Sequence, residues 1–555
     1  MSKQNVSTFT ASKSAGKLYF SLISSIKMPQ ICSICEKSAY YMAESGVKGA
    51  LSAVQSGILG EIHSIIGRHE EKKILQRCVD SERAEFVAIY GRRRIGKTFL
   101  VKQFFESSFD FYTTGVYQVS RSEQLKNWQK QLLKYSKQRR NTPKDWFEAF
   151  DQLQEYLQSL KKERFVVFID ELPWLDTPKS NFLKALEMFW NSWGSDCNRL
   201  KLIVCGSATT WMINKLLGDK GGLHNRVTMP ICLSPFTLHE TSQYLTYMGF
   251  DWSDMEVIET YMVLGGVPYY LSLLSPSLSL RQNIDNLFFK RNAVLKTEYD
   301  FLFNSLYSEA QAYKKVVELL SSKMIGMTRS EMMSNLKLLD NGFFSIVLDN
   351  LEKCDFIRHY QSFGKRRNEA LYQLTDMFTL FFVRFVKNYN GMDENAWSHL
   401  PDGKRNAWQG YAYEQVCIHH INQIKKTLGI SGIASDVCSW TKKGENGAQI
   451  DLVIDRSDRV IDLCEIKYCD RPFEIKKDYA DWLKERRDIF RENGRYLRWI
   501  VSFSTLQKDL RFTSIWKGRT LLSIRWIRIA GQRTSSSRIS DGSVVSRWLI
   551  IRVFF

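Results

Sequence analysis

"EFVAIYGRRRIGKTFLVKQFFE" (residues 85–106) decides the fold. Glu85 to Tyr90 is a short apolar run closed by Gly91, which predicts a buried parallel strand. "KTFLVKQFFE" then reads as a helix. Between them Gly91, Gly96, Lys97 and Thr98 fit G-x-x-x-x-G-K-[ST], and a strand before with a helix after is the setting this motif requires. The spacing has a chemical reason. A glycine-rich turn lets the backbone N–H groups of Arg92, Arg93, Arg94 and Ile95 face a phosphate, and the helix N-terminus adds its positive end. Lys97 supplies a point charge for the outer phosphates, and the Thr98 hydroxyl suits Mg²⁺.

Downstream, "FVVFID" (Phe165 to Asp170) is a second buried-strand run, and Glu171 follows it. An aspartate at that strand end can hold Mg²⁺ directly or through water. The adjacent glutamate can polarise an attacking water as general base. "KLIVCGS" (Lys201 to Ser207) is a third strand run. Helical stretches separate the three, so the expectation is an α/β fold: a P-loop NTPase parallel sheet with helices on both faces.

The chain has 555 residues, 44% of them hydrophobic and 25% charged, which suits three or four soluble globular domains. Its 11 cysteines lie mostly in apolar runs, so a reducing cytoplasm is expected rather than a disulfide framework. No run is long enough for a transmembrane helix, and no membrane partner is expected. The net charge of +19 favours polyanions, DNA first among them. The excess is uneven, because Thr505 to Phe555 holds ten Lys/Arg against two Asp/Glu.

Changes in pattern divide the chain. Residues 1–64 lack periodicity and read as an extension; their single Cys-x-x-Cys (Cys32, Cys35) has no second ligand pair for zinc. Residues 65–234 hold the strands above. Residues 235–305 are helical and read as a lid. In 306–385, "TRSEMMSNL", "FFSIVLDNLEKC", "FIRHYQS" and "EALYQLTD" give helices followed by a hairpin with Lys365, Arg366 and Arg367 at its tip, the order of a winged helix. Asn341 to Lys353 would be its recognition helix, though that helix is not notably basic. Residues 400–504 contain "QIDLVID" and "VIDLCEIKY". The basic tail 505–555 has no clear core period. It reads either as a frame-shifted gene end or as an arm for nucleic acid.

"IIGRHEE", "YGRRRIGKTFLV", "FIDELPWLD", "GSATTWM" and "GGVPYYL" together resemble the prokaryotic archaeal-type AAA+/STAND ATPases, over about residues 65–490. The resemblance implies ATP and Mg²⁺ as cofactors. It implies that Gly67 and Arg68 pack against the adenine and that Ser207 is a polar sensor, for which a strand-end cap is the plain alternative. It implies that Arg226 approaches a γ-phosphate, with a surface arginine as the alternative. Gly266 and Pro268 match the Gly-x-Pro element beside the nucleotide, where a helix-breaking turn would also serve.

Asp451 and Glu465 fall on two strand runs joined by a turn near Arg456 to Arg459, and antiparallel pairing brings them together. Two carboxylates at one point repel unless a cation separates them. Lys467, two beyond Glu465, shares its face. Such a trio suits Mg²⁺-assisted phosphodiester chemistry. It resembles the PD-(D/E)XK nuclease core, with Glu414 matching an additional acid on the preceding helix. Metal ligands are therefore expected at Thr98 and Asp170 in one site, and at Glu414, Asp451 and Glu465 in the other. Catalytic roles are expected for Glu171, Asp451, Glu465 and Lys467. The combined expectation is an ATPase coupled to a DNA-related, restriction-endonuclease-like domain, with a homo-oligomer or a partner protein. A nucleotide-switched signalling protein, or a DNA-binding regulator with an inactive nuclease fold, are the alternatives.

Overall fold

The computed structural model describes residues 65–218, 223, 225–337, 342–364, 369–442, 444, 447–469, 477–490, 495–503, 522–524, 527–528 and 548–554. Cys32, Cys35, Asn341, Lys365, Arg366, Arg367 and most of 505–555 lie outside them. Residues from Ile66 onward form one compact unit.

The P-loop strand β1 (Glu85–Tyr90) is central, as its continuous apolar run requires. With β2 (Phe111–Thr114), β3 (Phe165–Asp170), β4 (Leu200–Gly206) and β5 (Met229–Cys232) it makes a five-stranded sheet of order β2-β3-β4-β1-β5. All pairings are parallel. The three strand runs expected from sequence are β1, β3 and β4. The short β2 and β5, four residues each, have half-exposed patterns that give no apolar run to read. Parallel strands put the ends of β1, β3 and β4 on one edge, where Gly91, Asp170 and Ser207 meet.

Helices Leu238–Tyr247, Asp254–Leu264, Leu280–Phe288 and Glu298–Leu306 follow. Three of them start with reciprocal capping boxes, from Thr237/Glu240, Ser253/Glu256 and Ser279/Gln282. Next come helices Ala310–Ser321, Arg329–Leu336 and Gly342–Lys353, and a three-stranded antiparallel sheet of β6 (Met327–Thr328), β7 (Ile357–Tyr360) and β8 (Leu371–Leu374), order β6-β8-β7.

The C-terminal part carries helix Asp402–His419 and a seven-stranded sheet. Its strands β9 (Ser435–Lys442), β10 (Ala448–Arg456) and β11 (Val460–Lys467) are antiparallel neighbours. Strand β12 (Tyr496–Phe503) joins β11 in parallel. Three short stretches of the basic tail are described, and all are strands that extend this sheet: Leu522–Ile524, Ile527–Arg528 and Trp548–Phe554.

The ATPase sheet has its own core, built around Phe111, Trp128, Trp146 and Phe150. The lid, the β6–β8 unit and the inner face of the C-terminal sheet share a second core, running from Phe236 through Phe378 and Trp408 to Ile466. The units read as separate in sequence are therefore fused through apolar contact.

Candidate functional site

Gly91 has φ 138°, and a Cβ there would sit 2.2 Å from the Leu233 carbonyl oxygen, so only glycine lets the loop leave β1 against β5. Gly96 has φ 88° and starts helix Lys97–Phe104. Lys97 is buried and donates to the carbonyls of Gly91 at 2.9 Å and Arg92 at 2.8 Å. Burial holds its ammonium below its ordinary pKa, which leaves it in want of an anionic partner. Thr98 Oγ1 donates to Asp170 Oδ2 at 2.9 Å. The hydroxyl and carboxylate expected to share Mg²⁺ thus already touch.

Glu171 sits in the left-handed region, φ 47° and ψ 48°, which turns its carboxylate back over the sheet edge. Ser207 donates to Glu171 Oε2 from its hydroxyl at 2.8 Å and its backbone N–H at 3.2 Å. Burial raises the Glu171 pKa, opposed chiefly by Lys97. A carboxyl kept basic beside a strand-end acid has the character of a general base.

The side chains of the neighbouring arginines are engaged within the protein. Arg68 has its guanidinium buried, donating to Ser234 O at 2.7 Å and Ile95 O at 3.1 Å, over the Phe236 ring. It fastens the P-loop to the segment that leads into helix Leu238–Tyr247. Gly67, at φ 63°, lies so close to Glu240 that a Cβ would come within 2.5 Å of that side chain. Arg92 and Arg94 contribute loop backbone, but their side chains reach away. Arg92 is buried in an ion pair with Asp376. Arg94 pairs with Glu298 through two bonds, 2.5 and 2.8 Å, and stacks 4.0 Å over Tyr269. Arg93 is half-buried, and Ile95 is buried under the loop. Gly266, φ 66°, packs against the Phe236 carbonyl, which a Cβ would approach to 2.3 Å. Pro268 begins the short helix that carries Tyr269, whose N–H faces the Arg94 carbonyl at 3.4 Å.

Arg226 is exposed and lies elsewhere. Thr228 N–H bonds the Phe86 carbonyl, so this segment stands at the start of β1, not at its end. Five residues of strand, about 16 Å, separate that level from Gly91. The arginine therefore lies beyond reach of a phosphate in its own loop.

In the C-terminal sheet, Leu452 faces Cys464, a register that sets Asp451 beside Glu465. The turn between the strands contains Arg459 at φ 66°. Asp451 Oδ2 accepts the Ile466 N–H at 3.0 Å, and Lys467 Nζ meets Glu465 Oε1 at 2.6 Å. Glu465 Oε2 is buried without a hydrogen-bond partner. Burial, then the nearby Asp451 charge, pushes Glu465 up to about 7 and Glu414 up to about 8. Burial also raises Asp451. Three acids and Lys467 do converge, but the expected triple-carboxylate cage does not form. Among the described residues no three His, Cys, Asp or Glu side chains stand at metal-holding spacing. Mg²⁺ commonly binds through one or two carboxylates and water, so the Asp451–Glu465 pair with its orphaned oxygen still fits that ion. Glu414, on helix Asp402–His419, stands close enough to feel the charges of Asp451, Glu465 and Lys467.

Sequence reasoning missed Arg486, which stacks 3.2 Å over Trp482 and lowers the pKa of both Asp451 and Glu465. Its helix, Lys477–Phe490, carries the Trp482/Arg486 pair at i,i+4, the one signal available. Asp462 is fully buried between Arg456 and Arg498 and serves the sheet.

A five-stranded parallel sheet with this loop and these strand-end acids defines a P-loop ATPase domain. Residues 66–274 match the family model for an ATPase domain predominantly from Archaea, so the chain carries an archaeal-type ATPase domain. Over 429 residues it is 24% identical to an uncharacterized protein of Methanocaldococcus jannaschii, covering 76% of this chain and 92% of the relative. An uncharacterized ATP-binding protein of the same organism is 43% identical over 42 residues, 8% of this chain and 71% of the relative. The Walker-type ATPase of Pyrococcus abyssi is 18% identical in a superposition covering 58% of this chain and 96% of that one, with TM-score 0.43. Among the described residues no helix is long and apolar enough to cross a membrane.

Proposed function

We propose that the chain hydrolyses ATP in a STAND-like arrangement and that nucleotide state governs a metal-dependent, nuclease-like C-terminal site acting on DNA. The observation that carries the ATPase reading is the convergence of Lys97, Thr98–Asp170 and Glu171–Ser207 on one sheet edge. Lys97 would exchange its loop carbonyls for the outer phosphates. Thr98 and Asp170 would hold Mg²⁺, which when bound supplies charge neutralisation. Glu171 would accept the proton of the attacking water, with Ser207 releasing or orienting it. Glu171→Gln should lose hydrolysis by about 10²–10⁴-fold while nucleotide binding persists. Unchanged turnover in that variant would remove Glu171 from the role.

The β6–β8 unit, with its three helices, supports a winged helix. The Asp451–Glu465–Lys467 cluster supports a PD-(D/E)XK-like core. Asp451 and Glu465 would hold Mg²⁺, whose chemistry there is polarisation of a phosphodiester. Lys467 would orient water or stabilise developing charge. Mg²⁺-dependent DNA cleavage should vanish in Asp451→Ala while ATPase turnover stays. Cleavage surviving in that variant would refute the site. A protein with ATPase turnover and no cleavage at all would be the signalling switch with an inactive nuclease fold.

A further inference from the structure

The strand β2 is followed by helix Arg121–Ser136, and one side of that helix is rich in lysine, with Glu123 near Lys126 as the acid on the helix itself. Lys126, Lys130 and Lys134 recur at i, i+4 and i+8, all exposed. They form a row with steps of about 6 Å along the axis. Lys137, Arg139 and Lys144 continue the charge into the loop beyond, also exposed. Lys126, Lys130 and Arg139 line a groove with Gln129, Asn141 and Gln152, and the acid that also lines it is Glu148. The opposite side of the helix is fully committed. Leu125, Trp128 and Leu132 are buried in the sheet's core, so this helix has no apolar face free for a membrane.

We infer that this basic groove on the ATPase domain docks the phosphate backbone of a nucleic acid, independently of the C-terminal site, and that docking is transmitted to the ATPase acids. The two lysines and the arginine outnumber Glu148 and match phosphate oxygens, while Gln129 and Gln152 donate to the Arg140 and Asn141 carbonyls and shape the groove. No aromatic side chain lines the groove to stack on bases, so binding there ignores sequence. The path inward is a chain of hydrogen bonds. Gln124, wholly buried, accepts from Val116 N at 3.1 Å and donates to Val116 O at 2.7 Å and Trp174 O at 2.9 Å. Asn127 donates to Thr114 O at 3.1 Å. Thr114 is the register partner of Asp170, and Gly115 N–H bonds the Asp170 carbonyl at 2.9 Å. Trp174 N–H bonds the Glu171 carbonyl at 3.0 Å. The helix that carries the lysines is thus tied on both sides to the segment holding Asp170 and Glu171. The regulatory half of this inference rests on the ATPase reading above; the docking half does not.

The test uses the full chain, wild type and K126E/K130E/R139E, with a fluorescent DNA duplex of mixed sequence, its single strand and a matched RNA. Wild type should bind at least one of them with a salt-dependent affinity and hydrolyse ATP faster in its presence. The charge-reversed protein should keep basal ATPase, bind about tenfold or more weakly, lose the stimulation, and show a shallower salt slope by about 2–3. K126R/K130R/R139K should behave as wild type. Equal affinity and slope in the reversed protein would overturn the inference. So would tighter binding to polyglutamate or to phosphatidylserine vesicles than to any nucleic acid. Binding lost by reversal in a protein with no ATPase activity at all would keep the docking surface and sink the ATPase reading instead.

Discussion

His420 shows how one residue fixes a junction. It is buried at the end of helix Asp402–His419, where its Nδ1–H donates to Val416 O at 2.7 Å and its Nε2 accepts the Leu238 N–H at 2.8 Å. Only neutral imidazole does both, and it caps the first lid helix from a residue 182 positions away. Burial holds its pKa below the ordinary value. The unfolded chain protonates this histidine near pH 6.5, and the folded chain resists. Its contribution is therefore complete above that pH and falls away as pH drops toward the lower folded value. Wild type should lose more melting temperature between pH 7.5 and 5.5 than His420→Gln does. Parallel pH profiles for the two proteins would show that the tautomer is irrelevant.

At the scale of elements, the P-loop is held by contacts that reach far along the chain. Arg92 pairs with Asp376, which also caps helix Met377–Phe381 by accepting from Thr379 N at 2.9 Å and Thr379 Oγ1 at 2.6 Å. Arg92 Nε and one terminal nitrogen have no hydrogen-bond partner, so Asp376 is the acid that bonds this buried charge, with Asp355 acting on it as well. Removing the arginine leaves a buried carboxylate, and Arg92→Ala should cost about 3–5 kcal/mol in denaturant unfolding. Arg92→Met with Asp376→Leu should recover much of that, while leaving the lid free to move against the loop. A single variant as stable as wild type would mean that the pair is not closed in solution. These pairings mark where sequence reading stops. The loop, its lysine, the two strand-end acids and the Asp451–Glu465 register were legible because each rests on local pattern: a glycine spacing, an apolar run, a strand alternation. The side-chain partners of Arg92 and Arg94 were not legible, because Asp376 and Glu298 lie 284 and 204 residues away. The position of Arg226 was not legible for a related reason: nothing in "LHNRV" says at which end of β1 it emerges.

Across the whole molecule, the boundaries read from sequence do not coincide with boundaries of packing. Helix Asp402–His419 begins the C-terminal part in sequence, yet its Trp408 packs against Phe381 and Phe385 of the preceding unit at 5.4 and 5.5 Å between ring centroids. Tyr468, just after the strand with Glu465 and Lys467, donates to Glu259 of the lid at 2.6 Å. The Phe363 N–H bonds Ser439 O at 2.8 Å, and its ring lies 5.0 Å from Phe490. The C-terminal part cut out alone would expose the apolar side of that helix and the inner face of its sheet. A fragment of residues 400–503 should therefore lack a cooperative thermal transition and bind a hydrophobic dye. A fragment of residues 235–503 should melt in one step, because the lid supplies the missing half of the core. Circular dichroism and calorimetry on the two fragments decide the matter. A cooperative transition in the shorter one would mean that the C-terminal site is an independent module. In that case the shared core could not carry a change at Lys97 and Glu171 to Asp451 and Glu465.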